Sequence, residues 1–192
     1  MYKILNTVSA PDRNRLLVVN NNGDINSLKV VMEGNNTLTR LVNSDFAQIE
    51  TVTFGGVSPK NITLPEGDIV LNSICDPDTN KKALIQSIEV FKDLSIPIVN
   101  LPEETLKTTR EQTYKHLHGT TGLRVPKAVR ITPTRLSDVP KMLQDEELDY
   151  PYIFRSTGEH GGEGMALVKS ESDLGELERF AFDGRSFYAI EF

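Results

Sequence analysis

Apolar and polar positions change period repeatedly along the chain, and each change marks an element. Residues 12–20 contain the run Arg-Leu-Leu-Val-Val, closed by turn-forming residues 20–23, and predict a buried strand. Residues 25–32 predict a short helix between two Asn-rich segments. Residues 48–54 (QIETVTF) alternate and predict a second strand, closed by Gly55 and Gly56. Residues 68–72 predict a third strand, followed by a polar loop over 73–79. Leu84, Ile88 and Phe91 stand at i, i+4 and i+7, so they share one helical face, with Asp78 placed to cap its start. Residues 96–100 predict a fourth strand. Strands alternating with helical segments predict a small Rossmann-like parallel sheet over residues 1–105.

The pattern changes after Leu101. Thr108 or Thr109 is placed to cap a helix through Leu117, with Tyr114 and Leu117 facing inward and Gly119 near its end. Residues 122–131 predict a loop and a strand, and Leu136, Val139 and Leu143 give a further helical face. Two strands, 152–155 and 165–168, flank a glycine-rich loop over 156–164. Ser170 with Asp173 forms a variant of the capping box before a helix carrying Leu174, Leu177 and Ala181. Asp183 and Gly184 predict a turn, and residues 186–192 a last strand. Residues 106–192 thus read as a second, α+β part.

Composition narrows the function. At 192 residues, 38% hydrophobic and 25% charged, the chain is long enough for a buried core. A net charge of −6 with no Lys/Arg run argues against a nucleic-acid partner. Cys75 is the single cysteine, which excludes an internal disulfide and a cysteine-based zinc site. It follows a strand end, where it either lines a pocket or packs as a small hydrophobe. His116 and His118 are two apart and point in different directions on a helix. Asp76 and Asp78 are open to a substrate amine, a metal or capping, and the acidic positions Asp145, Glu146, Glu147 and Asp149 read as a solvated helix end. No signal peptide and no membrane-crossing stretch is visible, so a cytoplasmic location with no membrane partner is expected.

The segment Pro151 to Val168, PYIFRSTGEHGGEGMALV, carries the most chemistry. Gly158, Gly161, Gly162 and Gly164 are entropically expensive, and they suit a main chain that closes on a ligand or adopts positive φ. Successive amides can then point at phosphate oxygens, and Arg155 adds a fork of donors at the end of the incoming strand. A hairpin with a flexible tip fits the same residues. The loop is not a Walker A loop, because no Gly-Lys-Ser/Thr follows. His160 stands among the glycines, either donating to a phosphate or solvated.

A strand ending in Arg155, a loop with Gly-Gly-x-Gly-Met, a strand, a capped helix and a strand ending in Glu191–Phe192 together resemble the ATP-grasp superfamily, which includes D-alanine–D-alanine ligase and glutathione synthetase. Upstream, Asn72, Asn100, Pro102 and Arg110 fall at places similar to those of the preceding pre-ATP-grasp domain, and Val125–Pro126 to the start of the first ATP-grasp strand. The resemblance covers roughly residues 65–192 and is similar in arrangement to an ATP-grasp-like region of some tetratricopeptide-repeat proteins. It implies ATP as cofactor. Arg110, Arg155, Ser156, Gly158, His160, Gly161, Gly162, Gly164 and Met165 would hold its phosphates, and Glu191 and Phe192 would lead to the adenine hinge.

The implied reaction activates a small-molecule carboxylate as an acyl phosphate, which an amine then attacks. Two departures qualify it. Where many ligases carry Arg-Asp-Lys, this chain has Arg110, Glu111 and Gln112. The half of the domain that supplies magnesium ligands and a substrate-contacting arginine is expected beyond Phe192. Magnesium is therefore expected only in a complete domain, and no ligase turnover from residues 1–192 alone. The alternative is a non-enzymatic, degenerate nucleotide-binding or interaction module.

Overall fold

The computed structural model describes residues 1–10, 12, 16–21, 24–30, 34–36, 38–43, 45–55, 62–160, 162 and 164–192, with 16–21 and 24–30 as backbone. The chain divides into two compact units, Met1–Thr108 and Thr109–Phe192.

The first unit is built on a parallel sheet of strands β1 (Tyr2–Ser9), β4 (Ala47–Phe54), β5 (Ile69–Asn72) and β6 (Ile98–Val99), in the order β4-β1-β5-β6. Helix α1 (Lys81–Phe91) links β5 to β6 and buries Leu84 and Phe91 against Leu5, Phe54 and Val70. Phe54 and Phe91 meet edge to face with ring centres 5.5 Å apart. A short helix, α2 (Pro102–Thr105), follows β6.

The central strand, β1, has no clean apolar period in the sequence. Its buried positions include Asn6, Thr7 and Ser9 as well as Leu5, so polarity hid the strand that organises the sheet. The run expected as a buried strand of that sheet is β2 (Leu16–Asn21), and it pairs antiparallel with β3 (Asp24–Val30) in a separate two-stranded ribbon. β3 therefore replaces the helix expected over 25–32 as far as Val30, and positions 31 and 32 lie outside the described residues. The sequence pair Asn-Gly at 22–23, which lies outside the described residues, is a hairpin signal that outweighs weak helical periodicity. Gly56 falls outside the described residues.

Buried polar side chains at the ends of the parallel strands satisfy one another. The Asn72 Oδ1 accepts from Thr7 Oγ1 at 3.1 Å and from the Ile74 amide at 3.2 Å, while its Nδ2 donates to the Asn100 carbonyl at 2.8 Å. Asn100, at φ 59°, returns a bond from its Nδ2 to the Asn72 carbonyl at 3.3 Å. Asn72 is 1% exposed. Asn72→Ala strands a buried hydroxyl and a carbonyl, so it should lower stability by about 2–4 kcal/mol in urea unfolding. Asp78 is not the cap of α1: that position belongs to Asn80, which makes no side-chain cap bond. The Asp76 carboxylate instead accepts from the Asp78 amide and the Thr79 hydroxyl, each at 2.8 Å. Cys75 is half-buried, with its thiol donating to the Gly34 carbonyl at 3.3 Å, and burial with the nearby Asp76 charge pushes it up.

The second unit is built on an antiparallel sheet of β7 (Ala128–Ile131), β8 (Tyr152–Ser156), β9 (Met165–Val168) and β10 (Phe187–Glu191), in the order β7-β10-β8-β9. One face carries Val129, Ile131, Tyr152, Phe154, Ala166, Val168, Phe187 and Ala189 into the core. Val139 and Leu143 of α4 (Val139–Asp145) and Leu177 of the 3₁₀ segment Glu171–Arg179 cover that face. Helix α3 (Arg110–Leu117) contacts β7 from the other side, where Arg130 points.

Three local expectations fail in this unit. Leu117 is 41% exposed rather than inward, because no residue of α3 is buried. Thr109 holds the N-cap position of α3 but makes no cap bond, and its hydroxyl is buried without a partner. The segment after Ser170 is a 3₁₀ helix that ends before Ala181, and the Asp173 carboxylate reaches back to the Lys169 amide at 2.9 Å instead of closing a box with Ser170. The acidic positions 145–147 and 149 are exposed. His116 and His118 each contact a carbonyl of their own helix through Nδ1. No helix of the described residues is long and apolar enough to cross a membrane.

Candidate functional site

The face of the second sheet turned away from the core is ordered as two rungs. Strand alternation and register place Arg130, Tyr188, Arg155 and Met165 side by side across β7, β10, β8 and β9. Two residues along, about 7 Å away, lie Ala128, Ile190, Ile153 and Leu167. The first rung is cationic and aromatic, the second apolar. Leu167 is 36% exposed, while Ile153 and Ile190 are half-buried. A ligand with a flat apolar end and a charged end matches this pairing.

Arg155 is the centre of the cationic rung. It is 6% exposed, and its Nε has no hydrogen-bond partner. Its Nη1 contacts Met165 Sδ at 3.5 Å, and its Nη2 donates to the Glu159 carbonyl. Burial lowers its pKa and the nearby Arg110 charge lowers it further, with Glu159 and Tyr188 opposing. A buried guanidinium within the field of a second cation, with a donor unused, is unfavourable in a protein built only for stability.

The loop that follows supplies backbone rather than side-chain character. Gly158, Gly162 and Gly164 take φ of 73°, 86° and 67°. A Cβ on Gly164 would also collide with the Glu159 carboxylate. Gly161 lies outside the described residues. Ser156 ends β8 opposite Phe187 and is half-buried. His160 is exposed at the loop tip. Arg110 is the first residue of α3, and Met165 the first of β9.

The structure therefore gathers Arg110, Arg155, Ser156, Gly158, Gly162, Gly164 and Met165 around one end of the sheet. Glu191 and Phe192 lie elsewhere. Glu191 pairs with the core-facing Tyr152, three positions beyond Tyr188 along β10, so it lies roughly 10 Å away and its side chain is on the opposite face from Arg155. Its carboxylate accepts from the Lys127 amide at 3.0 Å and lies 4.0 Å from Arg124. Phe192 is 68% exposed.

Sequence reasoning passed over Arg130 and Tyr188. The Arg130 Nε donates to Glu111 Oε1 at 2.8 Å and its Nη2 to Oε2 at 3.3 Å. Its guanidinium carbon lies 4.9 Å from the Tyr188 ring centre. Burial pushes the Glu111 carboxyl up, but hydrogen bonds and the Arg130 charge outweigh it and the net shift is downward. The available signal was a charged residue at an alternate position of the apolar strand 128–131.

No protein-family model matches the chain, and no curated protein does. Solved structures do. A RimK domain ATP-grasp protein from Sphaerobacter thermophilus is 16% identical with a TM-score of 0.55, over 99% of this chain and 64% of that one. A carboxyaminoimidazole ribonucleotide synthase from Aspergillus clavatus, complexed with ATP, is 17% identical with a TM-score of 0.56, over 100% of this chain and 47% of that one. D-alanine–D-alanine ligase from Bacillus anthracis is 11% identical with a TM-score of 0.51, over 100% of this chain and 58% of that one. This chain thus spans about half to two thirds of the length of these proteins, and over that span it shares their fold.

Proposed function

We propose that the chain is the ATP-binding portion of a carboxylate–amine ligase-like protein, with ATP lying along the open face of the second sheet. The triphosphate sits against Arg155 and Arg110 beneath the loop of Ser156, Gly158, His160, Gly161, Gly162, Gly164 and Met165. The nucleoside runs over the apolar rung toward the end of β10, where the main chain of Glu191 and Phe192, rather than the Glu191 side chain on the core side of the sheet, would meet the base.

One observation carries this reading: a nearly fully buried arginine keeps an unused donor within the field of a like charge, at the start of a loop of left-handed glycines. A polyphosphate resolves all three features. It neutralises the pair, takes the free Nε–H and accepts from loop amides. Among the described residues no three Asp, Glu, His or Cys side chains converge into a metal cage. In this reading the part of these residues is binding and orientation. In the whole protein, a carboxylate substrate activated by ATP and an amine acceptor complete the reaction class.

Isothermal titration of the chain with ATP, inorganic tripolyphosphate and adenosine tests the reading. ATP should bind more tightly than either fragment, because each occupies one rung. Affinity for ATP and tripolyphosphate should fall as salt rises. No heat with ATP at millimolar concentration, or equal affinity for ATP and adenosine, would remove the phosphate assignment.

A further inference from the structure

Helix α3 carries Arg110, yet none of its eight residues is buried. A helix held by burial shows an apolar stripe toward its sheet. Here the tie is polar. The Glu111 carboxylate, with a side chain 15% exposed, takes the two-pronged contact from Arg130. Arg130 in turn lies against Tyr188 and donates to its hydroxyl. Tyr188 is 1% exposed and stands opposite Arg130 on one side and Arg155 on the other. Glu111 is thus anchored to a fixed point of the cationic rung, and Arg110 is its neighbour in sequence.

The geometry points to Glu111 as a positioning residue: gripped by Arg130 over Tyr188, its carboxylate holds the first turn of α3 so that Arg110 stays beside Arg155, preorganising a two-arginine site for a nucleoside polyphosphate. The inference rests on the nucleotide reading above and adds a sign that this reading alone does not give. By charge alone, removing a carboxylate near a phosphate site strengthens anion binding. Removing this one weakens it, because Arg110 is released.

The experiment is a double-mutant cycle on the full chain, with Glu111→Gln, Arg110→Ala and both together, each titrated with ATP and with tripolyphosphate. Each single change should weaken binding about tenfold. The double variant should match Arg110→Ala within about twofold, since an arginine already displaced has nothing further to lose. Glu111→Asp should recover most of the affinity. Hydrogen exchange without ligand should speed up over residues 110–117 in Glu111→Gln and stay unchanged in β8 and β10.

Binding by Glu111→Gln as tight as the parent, or losses that multiply in the double variant, would overturn the positioning role. If the parent binds neither probe, the nucleotide reading falls. In that case unchanged exchange over α3 in Glu111→Gln dismisses the latch as well, and faster exchange leaves it as a tether of α3. Arg130→Met, approaching the same contact from the sheet, should reproduce the Glu111→Gln pattern.

Discussion

Arg155→Met is expected to lower affinity for ATP by about 100-fold or more, the loss of two charge-assisted hydrogen bonds, while leaving the protein as stable as before or more so. Ordinarily, deleting a buried side chain lowers stability. Here the side chain is a cation in a nearly closed site, repelled by Arg110 and lacking a partner at Nε. Replacing a buried charge with an apolar chain of similar length is often neutral or favourable by about 1–4 kcal/mol. The groups it leaves behind, the Glu159 carbonyl and the Met165 sulfur, sit at the mouth of the loop and on an edge strand. Such a trade of stability against binding marks a functional site. Titration calorimetry and thermal unfolding of the same samples decide it. A fall in stability beyond about 2 kcal/mol with binding retained would make Arg155 a structural residue. Arg155→Lys keeps the charge but loses the planar fork, so an intermediate loss of about tenfold is expected.

The sequence was informative where one physical signal acted alone. Strands 48–54 and 152–155, the helix on Leu84 and Phe91, and the glycine loop were legible because burial or φ restriction dictates residue type there. β1 was not legible, since its centre buries Asn6 and Thr7, whose partners Ser73 and Asn72 lie 65 or more residues away. No local pattern announces a long-range hydrogen bond. The ribbon of β2 and β3 was misread because weak helical periodicity over 25–32 was weighed above the Asn-Gly pair in the sequence between the strands. The helix α3 was located correctly but its orientation was not: Leu117 suggested an apolar inner face, whereas the helix is attached by Glu111. Similarly, Arg155 and its loop could be singled out from glycine spacing. Tyr188 and Arg130 became visible only once register set them on the same rung.

Phe154→Ala is expected to lower the stability of the second unit by about 4 kcal/mol, near the upper part of the range for buried aromatic deletions. The reason lies in what flanks it. Phe154 pairs with Ala189 on one side and Ala166 on the other, so its ring fills the space above three strands. It is fully buried, with Phe187, Phe180 and Phe182 ring centres at 4.9, 5.2 and 6.2 Å. An alanine there makes a row of three alanines on adjacent strands whose spacing the hydrogen bonds fix, so the cavity cannot collapse. Phe154→Leu keeps most of the volume and should be clearly milder, about 1–1.5 kcal/mol. The chain has no tryptophan, and four of its five tyrosines, Tyr114, Tyr150, Tyr152 and Tyr188, lie in this unit, so tyrosine emission during urea unfolding reports on it. Phe154 and Arg155 are consecutive and point to opposite faces of β8. Below the unfolding transition, Phe154→Ala should therefore bind ATP within about threefold of the parent. A loss of less than about 1.5 kcal/mol would mean that the aromatic cluster closes over the gap. Weakened binding in the folded protein would mean that packing under the sheet, and not register alone, sets the Arg155 geometry.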